Sequence, residues 1–440
     1  MSEILLGKPL GKKSSENNQT KSRNYNLDSI RRTGLTWKLQ SYREKENMTY
    51  SDDSHLITIA PTGTGKGRSA VIPNLLNYTG PVITIDPKGE NYMVTSKRRK
   101  EMGQKVYKLD PFNIVDSESD GLNPMDIFAL NNSELVSDAQ MLSDLMSLDN
   151  TSSEHKFWDI SACALLSGVI GYISSGLESE HRNYSKLYNV LHSDDVVYNL
   201  AVVLDTLGKE IHPMAYAEIA SFLQKADKER SGVLSTATSY LKAFSSELVF
   251  KALDKSSFDL KEIVNGDPIS IYIIIPPDKL RSHSSILRLW VGTFLKAIMS
   301  RKRIPKQRTL FILDECAQLG SFPFLESIIT LSRGYGLQAW TFWQDLSQIK
   351  KLYDVGWSTM VNNCAVLQIF GTNNFNVALD CSELIGIDSD DIRDLKSSEQ
   401  IVVINGKPLK SSKFDYLSDK EFEKKYSKNP YYVNIGFQPY

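Results

Sequence analysis

The stretch that most constrains how this chain can fold is Ala60-Pro61-Thr62-Gly63-Thr64-Gly65-Lys66-Gly67. It follows His55-Leu56-Ile57-Thr58-Ile59, which predicts a short buried strand, and it precedes Arg68-Ser69-Ala70-Val71-Ile72-Pro73-Asn74-Leu75-Leu76, which can open a helix. Glycines let successive backbone N–H groups turn toward one point, and a helix N-terminus adds partial positive charge there. Strand, glycine-rich loop, lysine and helix together cradle a phosphate chain. Thr62, Gly63, Thr64, Gly65, Lys66, Gly67 and Arg68 are the candidate nucleotide-binding residues, with Lys66 reaching the β- and γ-phosphates as a point charge. Two positions depart from the usual P-loop: Ala60 replaces a common first glycine, and Gly67 stands where Ser or Thr supplies a hydroxyl to Mg2+.

The partner stretch is Thr309-Leu310-Phe311-Ile312-Leu313-Asp314-Glu315. Its apolar run reads as a strand covered on both faces, with two carboxylates at its C-terminal end, where open α/β sheets bind ligands. Asp314 is the candidate Mg2+ ligand, through water, and Glu315 the candidate base that orients and deprotonates the attacking water. Residues 337–343 predict another buried strand, and Gln344 at its end can hydrogen-bond the γ-phosphate or that water. Arg333, in Ser332-Arg333-Gly334-Tyr335-Gly336, is read as lying between these two strand ends, able to supply charge to a neighbouring subunit's ATP. ATP and Mg2+ are the implied cofactors.

The remaining composition excludes more than it assigns. A length of 440 residues suits two or three structural units. A net charge of −1 exerts no global pull toward DNA or membrane, so any nucleic-acid contact has to come from local patches. The four cysteines, Cys163, Cys316, Cys364 and Cys381, form no C-x-x-C pair, which argues against a disulfide framework or zinc ribbon and fits a cytoplasmic location. No apolar run is read as approaching the roughly 18–20 residues that span a bilayer.

In chain order, residues 1–50 are polar, with ten Lys and Arg against five Asp and Glu, and read as a solvated basic segment with a mobile connector at residues 14–22. Residues 51–128 form the first part of a nucleotide-binding domain, with strands ending at Asp86 and Asp110 and a basic run, Lys97-Arg98-Arg99-Lys100, on a helix end. Residues 129–265 change to helical spacing, as in Leu135, Ala139, Leu142 and Met146, and predict an inserted all-α domain. Residues 266–440 complete the nucleotide-binding domain with strands at 269–275, 309–313, 337–343 and 365–370, a second basic run at 301–308, and a charged tail with a short hairpin near 401–408. Strands separated by helices imply crossovers and parallel pairing, hence an α/β fold with a mainly parallel sheet.

With these pieces in order, the sequence resembles the type IV secretion coupling proteins, the VirD4/TraG family of conjugative ATPases. The P-loop with Val71-Ile72-Pro73-Asn74-Leu75-Leu76 carries the likeness, as do Asp86-Pro87-Lys88-Gly89-Glu90, Asp110-Pro111-Phe112, Leu122-Asn123-Pro124-Met125, Phe157-Trp158, Glu229-Arg230-Ser231-Gly232, Leu313-Asp314-Glu315, Gly334-Tyr335-Gly336 and Trp343-Gln344-Asp345-Leu346. The resemblance implies a RecA-like P-loop motor with an all-α insert, working as a homo-hexamer that recruits a relaxase with single-stranded DNA, or effector proteins, to type IV secretion channel components. Gly67 matches many members, which leaves Ser69 and Thr64 as candidate hydroxyls for the metal shell. The family usually has an N-terminal membrane anchor. None is read here, so recruitment to the inner face of the membrane is expected to need a separate anchoring partner.

Three functions remain open at this point: an ATP-driven coupling protein, an ATP-gated cargo receptor with little turnover, and a DNA translocase unrelated to secretion. In the motor readings the Tyr335 loop and both basic runs are expected to face a pore and neutralise phosphates without reading bases.

Overall fold

The computed structural model describes residues 3–10, 39–42, 46–147, 156–320 and 322–432. The connector read at residues 14–22 lies outside them. The described strands are β1 (Ile4–Gly7), β2 (Gln40–Ser41), β3 (Met48–Tyr50), β4 (His55–Ile59), β5 (Val82–Ile85), β6 (Lys105–Leu109), β7 (Ile269–Ile273), β8 (Thr309–Leu313), β9 (Leu337–Trp343), β10 (Cys364–Phe370), β11 (Glu399–Ile404) and β12 (Lys407–Ser412). Ten of them form one sheet in the order β2-β12-β11-β10-β4-β9-β8-β5-β7-β6. Every neighbouring pair from β10 to β6 is parallel. The hairpin expected near 401–408 is the antiparallel β11–β12 pair, which joins the sheet beside β10.

The central strands are apolar throughout because both faces of the sheet are covered. In β8, Leu310 and Ile312 pack on the side of the P-loop helix α1 (Ile72–Asn77), with Val71, Leu75 and Tyr78. Phe311 and Leu313 point the other way, into the core that also holds Trp290 and Phe294 of the helix Ser284–Met299. That second core is continuous with the insert. The chain leaves the sheet after β6, passes through the short helical turn Pro124–Ala129 and runs as helices Leu135–Met146, Lys156–Gly176, Tyr184–Leu191, Val196–Leu207, Pro213–Gln224, Asp227–Tyr240, Glu247–Asp254 and Leu260–Asn265 before re-entering at β7. No strand interrupts this stretch among the described residues.

The helix Lys156–Gly176 corrects one expectation: by length and composition it could cross a membrane. Its Ser, Gly and Tyr residues break up the aliphatic run and hid it in the sequence. Most of it is buried, packed against Leu135–Met146, Pro213–Gln224 and Asp227–Tyr240, as the core helix of the insert.

Two further expectations change. The first fifty residues are not uniformly a solvated segment. Ile4, Leu5 and Leu6 are buried in β1, which pairs antiparallel with β3. The buried Asn74 side chain accepts from Leu5 N (2.8 Å) and donates to Leu5 O (2.9 Å), tying this strand to the P-loop helix.

The run 97–100 is not a free basic patch either. Arg99 is fully buried on the helix Glu90–Glu101. It donates to Ser270 Oγ (2.8 Å), to Gly80 O (2.6 Å) and to Tyr78 O, so it caps carbonyls of the turn that leads from α1 into β5. Arg301 of the second run is likewise turned inward, onto Ile263 O (2.7 Å) and Thr309 Oγ1 (2.7 Å). Removing Arg99 would strand several buried carbonyls, each costly without a donor. Arg99→Ala should therefore destabilise the fold by about 3 kcal/mol or more, while exposed Lys100→Ala stays within about 0.5 kcal/mol. Denaturant unfolding of the two variants measures the difference.

Candidate nucleotide site

The parallel strands end together at one edge, and their following loops make the site. Ala60 N donates to Trp343 O (2.8 Å), which fixes the start of the P-loop to the end of β9. Gly63 (φ +82°) and Gly65 (φ +85°) take left-handed backbone angles that side chains resist, so these two glycines are required by the turn. Ala60 and Gly67 do not have positive φ. No backbone demand for glycine exists at Ala60, and the usual first glycine is dispensable there. A π-helical turn, Gly67–Val71, leads into α1, with Ser69 N donating to Gly65 O (2.8 Å).

Strand order brings the expected catalytic groups together. β9 lies between β4 and β8. Lys66, on the loop from β4, reaches past the end of β9 to the acids at the end of β8. Its Nζ is 3.1 Å from Asp314 Oδ1 and also ion-pairs with Glu315 Oε1. Gln344, at the end of β9, donates from Nε2 to Glu315 Oε2 (3.3 Å). Lys66, Asp314, Glu315 and Gln344 thus form one connected cluster. They line a cavity of about 420 Å³ with Thr62, Gly63, Gly65, Gly67 and Arg68.

The electrostatics follow from partial burial. Burial alone would lower the Lys66 pKa, but the two carboxylates outweigh it and hold the ammonium above its usual value. Burial raises the Asp314 pKa, Glu315 adds to the rise, and Lys66 opposes it. Glu315 has φ +55° and ψ +47°, a left-handed conformation unusual for a residue with a side chain, at the centre of the site. The Thr64 hydroxyl donates to Pro61 O (2.7 Å), while Ser69 sits on the turn beside Gly65.

Arg333 is not in this cluster. It lies before β9, at the opposite edge of the sheet, where its guanidinium pairs with Asp53 (2.5 Å), the residue that also holds Arg308 (3.0 Å). Its expected position between the two catalytic strand ends is therefore corrected: the connection from β8 returns through the helix Pro323–Leu331 before reaching Arg333. Arg68 also differs from a free phosphate ligand. Its side chain forms a two-pronged pair with Asp415 (2.6 and 2.5 Å).

Several site residues carried no assigned role in the sequence. Asp86 ends β5 and lines the same cavity, fully buried, and burial pushes its pKa up to about 7. Lys88, Glu90 and Gln318 join it there. Asp86 stood at a recognisable strand end, which was a usable signal. Lys413, from the tail, donates to Thr64 O (2.8 Å) on the other face of the P-loop, and no motif announced it.

Fold and site define a P-loop NTPase. The chain belongs to the type IV secretory system conjugative DNA transfer family, whose model matches residues 11–388. It is 26% identical over 358 residues to the conjugal transfer protein TraG of Escherichia coli, covering 77% of this chain and 56% of that protein. It is 28% identical over 346 residues to the type IV secretion system-coupling protein VirD4 of Bartonella henselae, covering 76% and 53%. The chain thus spans about half the length of these relatives. The plasmid coupling protein TrwB, solved in complex with ADP and Mg2+, superposes with a TM-score of 0.65 at 17% identity, covering 82% of this chain and 84% of that one. That likeness establishes the shared fold.

The two P-loop glycines with different backbone needs give a direct check. Gly65→Ala forces a side chain into left-handed backbone and should cost about 1–2 kcal/mol. Gly67→Ala, with open space where its Cβ would stand, should stay within about 0.5 kcal/mol. Thermal unfolding of both variants reads the contrast.

Proposed function

We propose that this chain is an ATP-driven coupling protein of type IV secretion, which recruits a relaxase-bound single-stranded DNA, or effector proteins, and delivers it to the secretion channel at the cell envelope. The observation that carries this reading is the Lys66–Asp314–Glu315–Gln344 cluster on a P-loop, within a chain of this family.

The residues present fit MgATP. The cavity beside Lys66 is ringed by P-loop backbone, and a phosphate chain can take over the ammonium that the two carboxylates now neutralise. Asp314 would hold Mg2+, which supplies charge neutralisation on the phosphates. Thr62 to Arg68 bind phosphate oxygens through backbone N–H groups, and Lys66 adds charge. Glu315, once released from Lys66, holds and deprotonates water. Gln344 already touches Glu315, so the state of the γ-phosphate is felt at the end of β9. Positioning and charge stabilisation supply most of the rate.

Exposed Lys302, Arg303 and Lys306, with Arg333, lie toward the opposite edge of the sheet and supply cations for phosphate contacts in a hexameric ring. Arg333 acts on a neighbouring subunit's ATP in this reading, which requires breaking its pair with Asp53.

ATP hydrolysis measured against protein concentration, with and without single-stranded DNA, tests the proposal. The rate per subunit should rise with concentration and with DNA. Lys66→Ala should abolish it, and Glu315→Gln should lower turnover by roughly 10²–10⁴-fold while nucleotide still binds. A flat, negligible rate with intact ATP binding would instead support an ATP-gated receptor.

A further inference from the structure

On the face of the P-loop away from Lys66 lies a second cavity, of about 630 Å³. Its walls come from Pro61, Thr62 and Ser69 of the P-loop turn, from Thr372 and Asn373 beyond β10, and from Lys413 of the tail. Lys413 is 7% exposed. Its ammonium donates to Thr64 O (2.8 Å) and lies 4.4 Å from the centre of the Phe370 ring. No carboxylate pairs with it among the described residues. Asp415, the acid on the same wall, is engaged by both prongs of Arg68.

An ammonium has three N–H donors, and a buried one without a counter-charge costs free energy that a ligand can recover. One donor is spent on Thr64. The cavity also has apolar walls in Pro61, Leu395 and Phe414, and hydroxyls in Thr62, Ser69 and Thr372. This combination suits a nucleoside with its attached phosphate better than inorganic anion alone. The two cavities share Thr62, Gly63, Gly65 and Arg68, so one molecule can pass from one to the other around the P-loop turn.

We propose that Lys413 is a second cation of the nucleotide site, which binds the nucleoside and α-phosphate half in this outer cavity while Lys66 holds the β- and γ-phosphates in the inner one. This rests on the P-loop being a nucleotide site. The two cations divide the ligand: Lys66 reads the end that reacts, and Lys413 reads the end that stays constant through hydrolysis. Burial lowers the Lys413 pKa to about 8, as desolvation of an ammonium without a counter-charge requires.

The test is equilibrium binding of ATP, ADP and inorganic pyrophosphate, which mimics the β- and γ-phosphates alone, with Mg2+, to the full chain and to Lys413→Met, Lys413→Arg and Lys66→Ala. Lys413→Met should weaken ATP and ADP on the order of ten- to hundredfold and leave pyrophosphate affinity unchanged. Lys413→Arg, which keeps the charge, should recover part of the loss. Lys66→Ala should weaken pyrophosphate and ATP alike, and if it weakens neither, the P-loop reading itself fails. Equal effects of Lys413→Met on ATP and pyrophosphate, or no effect on either, would overturn the role of Lys413. Should Lys413→Met fail to fold, Thr372→Trp fills the cavity from the facing wall and should show the same selective loss, and unchanged ATP affinity in that variant overturns the proposal.

Discussion

One ammonium shared between two carboxylates organises the site. Lys66 is drawn from bulk water by the loop that carries it, and its charge has to be met. Asp314 and Glu315 meet it from a strand two places away in the sheet, with β9 between. The pairing therefore depends on the whole strand order, and the order depends on parallel crossovers that bring every C-terminal strand end to the same edge. Shift β8 by one residue and the acids turn to the other face of the sheet. In the register present, Leu310 and Ile312 pack into one core and Phe311 and Leu313 into the other.

The same logic separates what the sequence made legible from what it did not. β4, β8 and β9 could be read because burial on both faces leaves an unbroken apolar run, and Asp314 and Gln344 could be read because each stands where such a run stops; Asp86 stands at a like strand end but carried no assigned role. The helical insert was readable from its spacing. Four-residue β1 was not: Ile4 to Leu6 are too few to show a period, and their partners are distant in sequence, apolar neighbours such as Val71, Ile72 and Phe414 around the side chains, and Asn74, Gln368 and Gln400 on the backbone, the two glutamines both donating to Leu6 O.

Charge misled most. Lys97 to Lys100 and residues 301–308 look alike in sequence, yet each run hides one arginine used to cap backbone carbonyls, while Lys97, Lys100, Lys302, Arg303 and Lys306 stay exposed. Spacing along the chain also placed Arg333 wrongly. It follows a strand end and precedes a strand, but the helix between them carries the chain back across the sheet. Lys413 had no signal at all, because its partners, Thr64 O and the Phe370 ring, come from elements far away in sequence.

β9 is buried along its whole length, and its seven residues span roughly 20 Å. A strand hydrogen-bonded on both sides neither stretches nor bends easily, so it behaves as a push-rod. Gln344 is at one end of it, against Glu315, and the turn with Arg333 and Tyr335 is at the other, tied through Asp53 to the start of β4. Its two ends are therefore held in one rigid element, so the residue against Glu315 and the turn that carries Arg333 keep a fixed separation across the width of the sheet.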